Sequence, residues 1–164
     1  YAQKVVNSAL ASADEKTAAN FYLAKTHYKN NAFDLAIPAF QRVAASSSNS
    51  QAAESRYLIA EAYFKQGRME AAEKQCEETN EKSGNYPFWV AKSLILMSDI
   101  YVSREDLLNA RAAIEAVLEN FKDDASITEI ASAKLKQIEK LEAESNRIKP
   151  PSNGLLELQN PGGN

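Results

Sequence analysis

The chain has 164 residues, 45% hydrophobic and 25% charged, which suits one globular domain or one short repeat array. Its 19 Lys and Arg against 22 Asp and Glu leave a net charge of −3, which argues against a nucleic-acid partner. One Cys and one His exclude an internal disulfide framework and zinc motifs built from paired ligands, and the five Gly leave no glycine-rich phosphate loop. No apolar run is long enough for direct membrane insertion.

The chain opens on Tyr1, with no charged leader and apolar stretch ahead of the body, which reads as a processed product or a fragment of something longer. Residues 1–13 place Ala2, Val6 and Ala9 at offsets that recur further along, so they are expected to form the second helix of a truncated repeat. Three repeats follow, over 14–50, 51–86 and 87–122. In each, a large apolar residue is followed by a small one and then a ring three later. These are Leu23, Ala24 and His27, then Ile59, Ala60 and Tyr63, then Met97, Ser98 and Tyr101. At the 3.6-residue period the three positions share one helix face.

An Ala comes nine residues after each ring and begins a second stripe: Ala36, Phe40 and Val43; Ala72, Cys76 and Thr79; Ala110, Ile114 and Val117. The three alanines recur at spacings of 36 and 38. Their small side chains let two helix backbones approach closely. Between stripes lie Lys29-Asn30-Asn31, Gln66-Gly67-Arg68 and Ser103-Arg104-Glu105, short polar turns that make each unit a helical hairpin. Gly67 suits the left-handed conformation that ends a helix, and Asn31 is the next best residue there. Pro38 falls inside a helix, where the lost donor predicts a mild kink.

Residues 123–148 are expected to be a capping helix, with Asp123, Asp124 and Ser126 as start signals. Ile127, Ala131, Leu135, Ile138, Leu141 and Ser145 mark its single apolar stripe, and the other faces are charged. From Lys149 the sequence KPPSNGLLELQNPGGN cannot propagate a helix, so 149–164 is expected to be an extended or disordered tail. Leu155, Leu156 and Leu158 within it suggest weak self-association as a second role.

At these positions the sequence resembles the tetratricopeptide repeat (TPR) family, whose first helix carries a large–small–x–x–aromatic pattern and whose second carries Ala-x-x-x-aromatic. IAEAYFKQGRMEAAEKQ is the closest segment, followed by LAKTHYKNNAFDLAIPAF and MSDIYVSREDLLNA. The family's first-helix Trp is replaced by Asn20, Arg56 and Leu94. The long inter-repeat loops look like divergent repeats of bacterial cell-envelope proteins, and YPFWVAKSLILMSDIYVSREDLLNA is similar to large Bacteroidetes TPR proteins. The resemblance implies an all-α fold, a right-handed α-α superhelix of antiparallel helix pairs. It implies a non-catalytic scaffold for a protein or peptide partner, located in the periplasm or near the outer membrane, with the cytoplasm also compatible. A structural or self-associating arm of an envelope protein is the alternative.

In the resembled family the first helices line a concave surface. Here that wall is expected to comprise Phe21, Lys25, Tyr28 and Lys29, then Tyr57, Glu61, Phe64 and Lys65, then Ile95, Asp99 and Val102. Rings on a rigid scaffold are common anchors, although the same rings can instead pack between adjacent first helices. Beyond the first repeat the wall reads as aromatic and acidic, so the grip on a terminal carboxylate seen in some TPR domains is not expected.

No catalytic residue, metal or cofactor is assigned. His27 fills the ring position of its repeat, matching Tyr63 and Tyr101. Cys76 reads as a small buried hydrophobe. The run Glu73, Glu77, Glu78 and Glu81 lacks calcium-loop spacing and reads as a solvated helix face. Phe88-Trp89-Val90 is expected to pack against the neighbouring repeat.

Overall fold

A computed structural model of the chain describes residues 1–148. The tail expected over 149–164 lies outside the described residues. The described residues form eight helices without strands: α1 Ala2–Val6, α2 Ala13–Lys29, α3 Phe33–Ser46, α4 Ser50–Lys65, α5 Met69–Lys82, α6 Pro87–Ser103, α7 Leu107–Asn120 and α8 Ala125–Ile148. Each packs on the next, giving an all-helical solenoid.

The three hairpin turns share one hydrogen-bonded form. Asn31, Gly67 and Glu105 have φ of 57°, 73° and 61°, the left-handed region. Their N–H groups donate to the carbonyls of Tyr28, Phe64 and Val102 at 2.9, 2.9 and 3.0 Å. The next residues, Ala32, Arg68 and Asp106, donate at 2.9 Å to the carbonyls of the repeat rings, His27, Tyr63 and Tyr101. This paired arrangement satisfies carbonyls that a helix end leaves open. The same three residues start the next helix, because their carbonyls accept from Ala36, Ala72 and Ala110 at 2.9–3.0 Å.

Gly67 and Asn31 match the expectation for this position, whereas Glu105 departs from it. A side chain with Cβ in the left-handed region costs roughly 1–2 kcal/mol, against roughly 0.5–1 kcal/mol of extra chain entropy for Gly. Glu105→Gly is therefore expected to stabilise the chain by about 0.5–1 kcal/mol, read as a higher urea midpoint at unchanged slope. An unchanged or lower midpoint would show that the Glu105 side chain contributes something the turn geometry does not reveal.

Ala36, Ala72 and Ala110 are completely buried, as are Ala24, Ala60 and Ser98 on the facing helices. Small side chains at both positions let the paired helices close up. In the third pair Ser98 also donates through Oγ to the carbonyl of Ala110 at 2.9 Å, tying α6 to α7. Three core clusters follow along the array. One centres on Phe40, Val43 and Ile59, one on Tyr57, Cys76 and Ile100, and one on Ile114, Ile127 and Ile138.

The even-numbered helices also touch one another: α2 meets α4, α4 meets α6 and α6 meets α8. Among the described residues α3 and α5 do not pair, nor do α5 and α7. Contact on one side and separation on the other curve the array. The even helices line the inner face, and α8 lies among them with its buried stripe at Ile127, Ala131 and Ile138.

The first thirteen residues differ from a full second helix. α1 stops at Val6 and buries no residue. A short helix without a buried face has little to offset its conformational entropy. The chain then bends, Ser8 Oγ accepts from Leu10 N–H at 3.1 Å, and α2 begins at a reciprocal cap between Ser12 and Glu15. α3 runs unbroken through Pro38, whose ring is exposed.

Candidate functional site

The inner face is built from equivalent positions on α2, α4 and α6. The innermost set is Phe21, Tyr57 and Ile95, and all three are drawn into the structure, at 5%, 5% and 7% exposure. Phe21 meets Phe40 edge-on at 6.3 Å between ring centres, and Tyr57 lies 5.6 Å from the Trp89 ring. Phe21 is covered from α3 and α4, Tyr57 from α6, and Ile95 within the core it shares with α7 and α8, so they form the floor and not free anchors. Tyr28, Phe64 and Val102 are half-buried and form the next layer, with Lys29 and Lys65 exposed outside them.

Glu61 organises the wall between α2 and α4. It accepts hydrogen bonds from the Tyr28 hydroxyl and, at 3.1 Å, from the Tyr57 hydroxyl. Burial, and then the Glu61 carboxylate, push both phenols well above the usual tyrosine range, so both act as donors. Lys65 donates to Tyr28 Oη at 2.6 Å, lies 4.6 Å from the centre of its ring and sits 3.8 Å from Glu61. Lys25 reaches across to Glu54 at 2.7 Å while resting over Phe21, 5.1 Å from the ring centre. Asp99 on α6 is paired with Lys134 on α8.

Between α4, α6 and α8 this wall opens into a cavity of about 270 Å³. Tyr57, Phe64, Ile95 and Leu96 supply its apolar surface from α4 and α6, and Ile130 of α8 supplies the opposite side. Its polar lining is Glu61, Lys65, Lys92, Asp99 and Lys134, three cations against two anions. Both anions are engaged as described. Lys92 makes no ion pair among the described residues and lies over Tyr57, 5.2 Å from the ring centre. Ile130 is a large apolar side chain left 41% exposed.

Of the expected wall residues, Tyr57, Glu61, Phe64, Lys65, Ile95 and Asp99 line this cavity together. Phe21, Lys25, Tyr28 and Lys29 lie outside it, one repeat towards the N-terminus. Lys92, Ile130 and Lys134 were missed. Ile130 carried a signal, an apolar residue off the single stripe of α8. Lys92 lies one helical turn before Ile95. With these lysines present, the wall beyond the first repeat is mixed in charge and not simply acidic.

The remaining candidates are accounted for by packing. Burial pushes the Cys76 thiol up to about 12, which leaves almost no thiolate near neutral pH. His27 is half-buried at its ring position. Glu73 is paired with Arg104 at 2.5 Å and Glu78 with Lys82 at 2.9 Å. Trp89 packs between Tyr57 and Phe88, while Phe88 itself is exposed beside a separate cleft of about 620 Å³ at the start of α8.

A family model of the tetratricopeptide repeat matches residues 2–50 and, in a second placement, 23–87. The chain belongs to the tetratricopeptide repeat family. No curated protein matches it significantly. The third TPR hairpin, α6 and α7, lies beyond the matched span, yet it repeats the turn geometry and the buried small pair of the first two. TPR repeats generally mediate protein–protein contacts, and the family is typically non-catalytic. Among the described residues no helix is long and apolar enough to cross a membrane.

Proposed function

We propose that this TPR array is a non-catalytic scaffold that holds an extended peptide or a helix of a protein partner in its concave groove. The cavity between α4, α6 and α8 is its anchoring point. The observation that carries this reading is the pairing of an open apolar surface, Phe64 and Ile130, with Lys92, a cation that makes no ion pair among the described residues. An apolar side chain of the partner fills the cavity, and an adjacent carboxylate meets Lys92 and Lys65. Apolar burial supplies affinity, and the charges set orientation and rate.

A panel of short peptides, each with one Leu, Ile or Phe flanked by either Glu or Lys, tests this by fluorescence anisotropy. Glu-flanked peptides are expected to bind and Lys-flanked ones to fail. Lys65→Ala with Lys92→Ala should weaken the binding about tenfold, the loss of roughly 1.4 kcal/mol. Added salt should weaken it as well. Equal binding of both peptide classes, or full affinity in the double variant, would remove the charge-guided reading.

A further inference from the structure

We infer that the gap between α3 and α5, on the outer side of the array, binds one carboxylate on a short alkyl stem, and that Arg56 holds it. The inference concerns the face opposite the groove and does not rest on the groove reading.

The helices α3 and α5 do not pair, and α4 forms the floor of the space between them. The result is a cavity of about 200 Å³. Sites for drug-sized ligands measure roughly 300–1,000 Å³, so this one takes a small acid or a single side chain. Ala44, Ala45 and Ile59 give it apolar walls that suit an alkyl stem. Its buried cation is Arg56, 7% exposed.

Buried charges are normally paired with an opposite charge. Arg56 has no carboxylate partner among the described residues. Glu78, the acid on the same wall, is committed elsewhere: it is paired with Lys82 at 2.9 Å and accepts from Gln75 Nε2 at 3.2 Å. A guanidinium offers N–H donors on all three of its nitrogens. Nη2 donates to the Ala44 carbonyl at 2.9 Å, and Nη1 to Ser83 Oγ at 3.4 Å, a long contact. Nε is buried and has no hydrogen-bond partner among the described residues. An unmet buried donor is costly, and the two oxygens of a carboxylate match neighbouring N–H groups of a guanidinium. Charge selects among anions as well. Arg56 and Lys82 against Glu78 leave one net positive charge around the cavity, which suits a monoanion better than a phosphate dianion. The places equivalent to Arg56 hold Asn20 in α2 and Leu94 in α6, so the other two hairpins bring no cation there.

The test is a titration of the full chain with sodium propionate, followed by NMR at the Arg56 Nε–H and at the backbone amides of Ala45 and Gln75. Sodium chloride at equal ionic strength is the control. A saturable shift of all three signals at roughly millimolar affinity is expected, with none in chloride. Arg56→Met keeps the stem and should weaken binding about tenfold or more. Ala45→Trp fills the mouth from an exposed position and leaves the guanidinium in place. It should abolish the propionate shift while the Arg56 Nε–H signal stays where it lies without ligand. Parent affinity in either variant would overturn the inference, and so would shifts of equal size in chloride. Inorganic phosphate bound as tightly as propionate would overturn the assignment to a carboxylate.

Two further probes separate the sources of the acid. N-acetylglutamate α-amide carries the carboxylate as a peptide side chain would, and N-acetylglutamine α-amide is its uncharged counterpart. Tighter binding of the glutamate probe than of propionate, with no binding of the glutamine probe, gives the site to an acidic side chain of a protein partner. Binding of propionate alone gives it to a small free acid. Equal binding of the glutamate and glutamine probes would overturn the role of the charge.

Discussion

Phe40→Ala is expected to lower stability by about 3–5 kcal/mol, the range for removing a fully buried ring from a core that cannot collapse around the gap. Phe40 has no exposed surface and sits where α2, α3 and α4 converge. It meets Phe21 at 6.3 Å and Tyr28 at 6.2 Å, both edge-on. Equivalent positions in the next two hairpins hold Cys76 and Ile114, also fully buried, so the first hairpin alone depends on a ring there.

Because each hairpin contacts mainly its neighbours, the loss should be local. Hydrogen exchange is expected to show α2 and α3 losing protection while α6, α7 and α8 keep theirs. Tyr28 would also lose its support, which loosens the Tyr28–Glu61 contact on the concave wall. A uniform loss of protection from end to end would instead make the array a single cooperative unit. A loss below about 1 kcal/mol would mean that the core refills the space.

The hairpins were legible in the sequence because a solenoid repeats one local problem. A small residue at closest approach, a ring one turn later and an Ala nine residues on are all set by the 3.6-residue period, and the period is visible in one chain. The three turns were legible for the same reason, with Glu105 hidden because a left-handed Glu leaves no compositional mark. The reciprocal cap at Ser12 and Glu15 was available as a Ser-x-x-Glu pattern before α2 and was overlooked.

The groove was only half legible, and the reason is geometric. Phe21, Tyr57 and Ile95 lie on the expected face, yet contact with neighbouring helices buries them. That contact depends on how the array curves, which no within-helix spacing encodes. Lys92, Ile130 and Lys134 reach the cavity from α6 and α8, and α8 does not follow the repeat. Pairs such as Asp99–Lys134 join positions whose register depends on packing between units.

Arg56→Ala is expected to cost about 3 kcal/mol, and Arg56→Met only about 1 kcal/mol, once packing and polar contributions are separated. Arg56 stands where the family pattern has Trp and is 7% exposed. It makes no ion pair among the described residues. Its cationic end instead serves two helix ends. It donates to the carbonyl of Ala44 in the last turn of α3 at 2.9 Å and to Oγ of Ser83, the residue that ends α5, at 3.4 Å. The negative poles of α3 and α5 stand in for a carboxylate.

This placement also explains how α3 can end without the backbone cap used by α2, α4 and α6: a side chain from the next helix takes an open carbonyl. The stem of Arg56 fills the Trp-like space, worth about 0.8 kcal/mol for each buried methylene, so truncation to Ala empties it. Met restores the stem but leaves the Ala44 carbonyl and the Ser83 hydroxyl unmet. Equilibrium urea unfolding of both variants measures the difference. If Arg56→Met proves more stable than the parent, burying the guanidinium costs more than the two helix ends return, as happens with some buried charges. The cation would then be retained for the geometry it imposes between α3 and α5 and not for stability.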